Sequence, residues 1–408
     1  MAGALTGFRV VELSNERSCY AGKLMADMGA DVILVEPPGG DVMRTYGPFL
    51  DDEPGPERSL YFWHYNTSKR GIVLDLEADE SRAQLRRLIA SADVVLEAEI
   101  PGRLHAVGLD YEDLRAAHPQ LVWCSITPFG RDDPKSKEPA NDLTILSAGG
   151  PVWSCGYDDH SIPPVRGGGN QGYQIGCHFG VMSVLTALLY RDAGGAGQLI
   201  DVNMHAGANV TTEVATYGYL AAGQVVQRQT GRHAAHRPTD DTQVLCADGN
   251  YANTGVPPRR PAEFAAIGEW LTACGLDDEF PEAAVLALSN EYDHFSQAMI
   301  AEDPLVGEIF GAGREAVKLI ASKLTAQEYF IGSQERGMAA GAVIAPEDVF
   351  SDPHFVDRGF PVQVEHEDLG RTFTYPGAPI KFNGSPWQIT RRAPHLGEHT
   401  SEVLAELG

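Results

Sequence analysis

Short apolar runs separated by helical patterns dominate the first third of the chain. Phe8-Arg9-Val10-Val11-Glu12-Leu13, Asp31-Val32-Ile33-Leu34-Val35-Glu36 and Gly71-Ile72-Val73-Leu74-Asp75-Leu76 read as buried strands. Asp93-Val94-Val95-Leu96 and Leu121-Val122-Trp123-Cys124-Ser125-Ile126 continue the series. Helical patterns fall between them, over residues 22–28, 80–92 and 111–117. Alternation of this kind predicts an α/β fold, a parallel sheet with helices on its faces.

Residues 176–190 are strongly apolar and predict a long buried helix, followed by a strand over Gln198-Leu199-Ile200-Asp201-Val202. From about residue 224 the pattern changes. A polar segment carrying Arg228, Arg232, His233, His236 and Arg237 leads to helical stretches at 262–274 and 314–333. The last part returns to strands and loops and ends in a helix near 399–407. The expected division is a large α/β domain over 1–223, a small domain with linkers over 224–335, and a segment over 336–408 that rejoins the large domain. A dinucleotide site is not expected. Glu36 ends the second strand, but Ser14-Asn15-Glu16-Arg17-Ser18-Cys19-Tyr20-Ala21-Gly22 lacks the glycines that let a backbone approach a pyrophosphate.

With 408 residues, 43% hydrophobic and 21% charged, the chain is an ordinary globular protein with room for two cores. No stretch approaches the roughly 20 apolar residues of a membrane span, and the start has no charged leader region. A cytoplasmic location is expected, with no membrane partner. The net charge of −25 repels nucleic acid and anionic lipid. It fits a soluble surface or a salty habitat. The six cysteines include no Cys-x-x-Cys pair and none at metal spacing with a His, so reduced thiols and no metal are expected. Cys155 and Cys177 flank a glycine loop, Gly167-Gly168-Gly169-Asn170-Gln171-Gly172, and are the candidate reactive thiols.

Several segments in order resemble the class III (CaiB/BaiF) CoA-transferases. They are Leu5-x-Gly7-x-Arg9-Val10-Val11-Glu12-Leu13, Ala26-Asp27-Met28-Gly29-Ala30-Asp31, Glu36-Pro37-Pro38-Gly39-Gly40-Asp41-x-x-Arg44 and Asn66-x-x-Lys69-Arg70. Cys124-Ser125-Ile126-Thr127-x-Phe129-Gly130, Gly197-Gln198-x-Ile200-Asp201-Val202, Asp352-Pro353 and Ala393-Pro394-x-Leu396-Gly397-Glu398-His399-Thr400 complete the set. The resemblance implies a Rossmann-like large domain built from both chain termini, a smaller middle domain, and an interlocked dimer. It implies CoA transfer between carboxylic acids through aspartyl anhydride and aspartyl-CoA intermediates. A CoA thioester is then a substrate, with no permanently bound cofactor, and a carboxylic acid is the acceptor.

The resemblance also marks three departures. Tyr173 stands at the position of the family's nucleophilic aspartate, and no acid lies between Asp159 and Asp192. A phenol with a pKa near 10 is a poor substitute for a carboxylate at neutral pH. Where the racemase branch has a His before an Asp, this chain has Asn141 and Asp142; Asp142 is either catalytic or a cap over its own helical turn. The family's Asn-Phe pair after the fourth strand is Ala98-Glu99, and Glu99 would repel a phosphate. The CoA-binding candidates are Arg44, Lys69, Arg70, Leu74 and Arg103. His178 reads as a core histidine or a catalytic one, and Trp153, Tyr157 and Tyr217 as possible walls of an acyl pocket. Three readings follow. The first is the aspartate-lacking subunit of a heteromer of the benzylsuccinate CoA-transferase type, with a second family-related chain as partner. The second is a self-sufficient homodimeric acyl-CoA isomerase, lyase or transferase using Tyr173, Asp142 or His178. The third is a non-catalytic acyl-CoA-binding homologue.

Overall fold

The computed structural model describes residues 2–212, 214–254 and 258–408. These residues form two compact units. The first comprises residues 2–155, Pro164–Val225 and Asp352–Gly408; the second comprises Gly156–Pro163 and Val226–Ser351.

The first unit is an α/β layer structure. In chain order it holds β1 Arg9–Leu13, α1 Cys19–Asp27, β2 Asp31–Glu36, α2 Leu60–Tyr65, β3 Arg70–Val73, α3 Asp79–Ala90 and β4 Val94–Glu97. Then come α4 Arg103–Ala106, α5 Tyr111–Leu114, β5 Val122–Thr127, α6 Asp142–Gly149, α7 Gln171–Asp192, β6 Leu199–Asn203, α8 Met204–Val210 and α9 Val214–Ala222. The strands make one parallel sheet in the order β3-β2-β1-β4-β5-β6. This is the doubly wound order, which reverses between β1 and β4. Val10 is in register with Val32 on one side and Val94 on the other.

Successive side chains of the strands enter different cores, as the two-residue period requires. Val10, Val32, Val94 and Val122 pack with Met25, Cys177 and Val184 on one face. Val11, Ile33, Val95 and Trp123 pack with Leu85, Leu88 and Ile89 of α3 on the other. Gly180 lets α7 lie close on β5, since a Cβ there would press on the Ile126 side chain. Among the described residues, α7 is the one helix long and apolar enough to cross a membrane. Here one face of it covers the sheet, with Gly176, Cys177, Gly180 and Val184 buried.

The second unit begins with the hairpin β7 Gln227–Gln229 and β8 Arg232–Ala235, followed by β9 Gln243–Leu245 and β10 Tyr251–Asn253. Helices α10 Pro261–Ala273, α11 Ala283–Ala287, α12 Gln297–Glu302, α13 Pro304–Lys323 and α14 Ala326–Glu335 follow, and β11 Gly341–Ala342 completes an antiparallel sheet with β10 and β9. The helical pattern over 314–333 is two helices, not one. Thr325 stops it by capping α14 in a reciprocal box with Glu328. Phe264, Trp270, Ile309, Ile320 and Tyr329 form this unit's core.

The chain then returns to the first unit with α15 Pro353–Asp357, the antiparallel hairpin β12 Pro361–His366 and β13 Arg371–Pro376, and α16 Thr400–Glu406. Val403 of α16 joins the core beneath α3. Arg70 ties this end to the sheet, donating to Asp31 of β2 and to Glu402 and Glu406 of α16.

Candidate functional site

At the carboxyl ends of β1, β2 and β4, where the strand order reverses, the first unit has a cavity of about 440 Å³. Open α/β sheets bind ligands at this place because the loops diverge there. Leu13, Asn15, Arg17, Leu74, Ala98 and Arg103 are among its walls. Glu36, Asp41, Asp75, Glu77 and Glu99 face the same space. Two arginines thus confront five carboxylates, and Arg103 is itself held by Glu99 at 2.7 Å.

Leu74 and Arg103 are among the residues that line this cavity; the other three CoA-binding candidates are not. Arg44 is buried, grips Glu36 through two 2.7 Å bonds and lies over the Phe62 ring. Lys69 has no exposed surface and donates to Glu12, the Cys19 carbonyl and Asn66 at 2.8–2.9 Å. Arg70 is the bridge to α16. In each case carboxylates of this chain already neutralise the cation. Arg17 was missed, because nothing in its local sequence marks a loop arginine as facing a cavity. It donates to the Ala140 carbonyl at 2.9 Å, and its buried Nε has no partner among the described residues.

Tyr173 is not a loop residue. It lies in the first turn of α7, which starts at Gln171. Its hydroxyl donates to Glu16 at 3.3 Å, and burial, reinforced by Glu16, pushes the phenol up to about 12. Asp142 does not cap its own turn. Asn141 does that, in a box with Thr144, while Asp142 accepts the Gly172 and Tyr173 N–H groups and so caps α7. Arg166 donates to Asp142 at 2.9 Å and to the Gly169 carbonyl at 2.7 Å, which pins the glycine loop. Gly167, Gly168 and Gly169 are exposed, Gln171 opens the helix, and Asn170 donates to the Tyr61 hydroxyl.

Glu16 is the second residue that sequence reading passed over. It is half-buried on the loop after β1 and accepts from Tyr173; Tyr46, raised first by burial, also bonds to it. Its neighbours Asn15 and Arg17 line the cavity. The carboxylate nearest the Tyr173 hydroxyl therefore comes from another element altogether.

The remaining candidates are less engaged. Cys177 is buried, and burial raises its thiol to about 12, so it is inert; Cys155 is exposed. His178 is exposed rather than in the core, bonded to the Gln174 carbonyl of its own helix. Trp153, Tyr157 and Tyr217 are exposed and line neither this cavity nor the larger one in the second unit.

Comparison with known proteins adds the following. The family model for CoA-transferase family III matches residues 5–400. The subunit BbsE of succinyl-CoA:(R)-benzylsuccinate CoA-transferase from Thauera aromatica is 33% identical over 98% of this chain and 93% of its own length. Succinyl-CoA:mesaconate CoA-transferase from Haloarcula hispanica is 32% identical over 100% of this chain and 97% of its own. A CAIB/BAIF family protein from Brucella suis superposes with a TM-score of 0.78 at 28% identity, covering 100% of both chains.

Proposed function

This chain belongs to CoA-transferase family III, and from that premise we propose that it is one subunit of a heteromeric acyl-CoA:carboxylate CoA-transferase whose catalytic aspartate is carried by a second, related chain. The observation that carries the reading is the first turn of α7. The carboxylate bonded to its backbone, Asp142 of α6, is occupied by two N–H groups and Arg166, and the side chain at the nucleophile's position is a phenol held neutral. With a pKa of about 12, roughly one Tyr173 in a hundred thousand is ionised at pH 7. The acid-rich cavity supports the same reading: with Glu36 paired to Arg44, four carboxylates still face two arginines, which weakens the attraction of a pyrophosphate.

An apolar surface supports the second chain. Leu189 and Tyr190 of α7, Val210 of α8, and Tyr219 and Leu220 of α9 are exposed, Leu220 at 77%. Exposed apolar side chains concentrated on three successive helices are a reason to expect a covering partner. The assembly we propose is an interlocked pair in the cytoplasm. Both relatives are named for succinyl-CoA, so a dicarboxylic acyl-CoA is the first donor to assay. The test is affinity purification from the native host with mass spectrometry. The expected result is a family-related chain bearing an aspartate at the position of Tyr173; recovery of this chain alone would overturn the proposal.

Glu16 favours a second reading, in which the chain turns over by itself. Its carboxylate would attack the thioester carbonyl, forming an acyl-glutamyl anhydride and expelling CoA thiolate. The thiolate would then attack the glutamyl carbonyl, leaving glutamyl-CoA and the free donor acid. The acceptor carboxylate would repeat the two steps in reverse and regenerate Glu16. The reading predicts turnover by the homomer that Glu16→Gln abolishes; no turnover by the homomer excludes it.

A further inference from the structure

The second unit contains a cavity of about 640 Å³, built entirely from its own residues. That volume suits a ligand of some ten to thirty heavy atoms. Val317 of α13, Tyr329 of α14, Met338 and Ala340 give it an apolar interior. The charged part of its lining has the opposite balance to the chain as a whole. Arg232, Arg259, Arg260, Arg314 and Lys318 contribute five cations against Asp240, Asp241 and Glu263, in a protein with 31 basic and 56 acidic residues.

The cations are not equally engaged. Arg232 is held by Asp158 and Asp241, and Arg260 by Glu263. Arg314 reaches Asp240 only at 3.4 Å, and Lys318 pairs at 3.1 Å with Glu315 one helical turn away. The Arg259 guanidinium has no carboxylate partner among the described residues, although its backbone N–H donates to Glu263. An apolar cavity whose lining has an uncompensated guanidinium and two loosely held cations is complementary to one kind of molecule.

We propose that this cavity binds a small organic anion, a carboxylate on an aromatic or branched hydrocarbon body. The carboxylate meets Arg259, Arg314 and Lys318, and the hydrocarbon lies against Val317, Tyr329 and Met338. A bidentate arginine contact supplies orientation and the apolar interior supplies affinity. The site is independent of the transferase reading, because none of its residues belongs to the first unit.

The test uses the full-length chain and the fluorescent probe 8-anilinonaphthalene-1-sulfonate, an aromatic anion of the right size. Titration should show saturable enhancement that 3-phenylpropionate displaces. Arg259→Glu should weaken probe binding about tenfold or more, and Arg259→Lys, which keeps the charge but not the fork, should weaken it by less than Arg259→Glu does. Ala340→Trp should fill the cavity and abolish binding, and Arg115→Glu on the surface of the other unit should leave probe binding unchanged. Arg259 is exposed, so its reversal leaves the fold intact and decides the matter even if the tryptophan variant misfolds. Absence of binding, or binding that Arg259→Glu leaves within about twofold, overturns the proposal; probe adsorbed on the apolar face of α7 would behave in the second way.

Discussion

Buried charge explains why single residues of this chain mislead. Lys69 stands in a recognisable motif, but its role depends on Glu12, 57 residues earlier, which sequence spacing cannot pair with it. The pair is wholly buried, and burial lifts the Glu12 carboxyl to about 7 despite the lysine. Gly22 completes the arrangement, because any Cβ there would overlap the Glu12 carboxylate. Lys69→Met should therefore destabilise the first unit by about 3–5 kcal/mol in urea unfolding, because it strands a buried acid. The double variant Glu12→Leu, Lys69→Met should recover most of that loss. Equal stability of the single and double variants would contradict this account. Arg44 is likewise buried against a carboxylate, Glu36 of its own motif, and so the motif residues were legible as important while their structural work was not.

At the scale of elements, the sheet was the most legible part. Apolar runs of four to six residues bounded by helices state their own geometry, and all six strands of the sheet lie where those runs are. Short elements were not legible. The helix α6 shows no clean period, and the hairpin of β12 and β13, although its apolar and polar side chains alternate, was read only as strands and loops without bounds. Capping chemistry was readable only in part: Asn141 fits the signal of a cap, yet Asp142 serves a different helix, 30 residues on. Asp142→Ala should cost about 1–2 kcal/mol by removing the cap of α7, read as a lower midpoint in urea. The hairpin makes a pH prediction. His366 is buried and bonded to Tyr375, and burial pushes its imidazole from 6.5 down to about 4. The native state then binds fewer protons than the unfolded chain between those values. This contribution to stability is complete above pH 6.5 and is lost as pH falls toward 4. His64 has the same shift and cause. His366→Gln should remove part of the fall in melting temperature between pH 7 and 4.5, worth up to about 3 kcal/mol. An unchanged slope would contradict it.

For the whole molecule, a net charge of −25 means self-repulsion that salt relieves. The melting temperature should rise with sodium chloride between about 0.05 and 0.5 M, where the screening length falls below the spacing of surface carboxylates. Family and fold were legible at this scale because motifs from residue 5 to residue 400 occur in order. The location of the active carboxylate was not. It is a question about two chains, or about Glu16, which comes from another element. Isotope exchange separates these. Purified chain is incubated with succinyl-CoA and labelled succinate, alone and then with the co-purified partner, and label entering the thioester is counted. The account predicts no exchange above the uncatalysed rate for the chain alone and exchange at full rate for the pair, unchanged by Tyr173→Phe. Exchange by the homomer alone, abolished by Glu16→Gln, would contradict it.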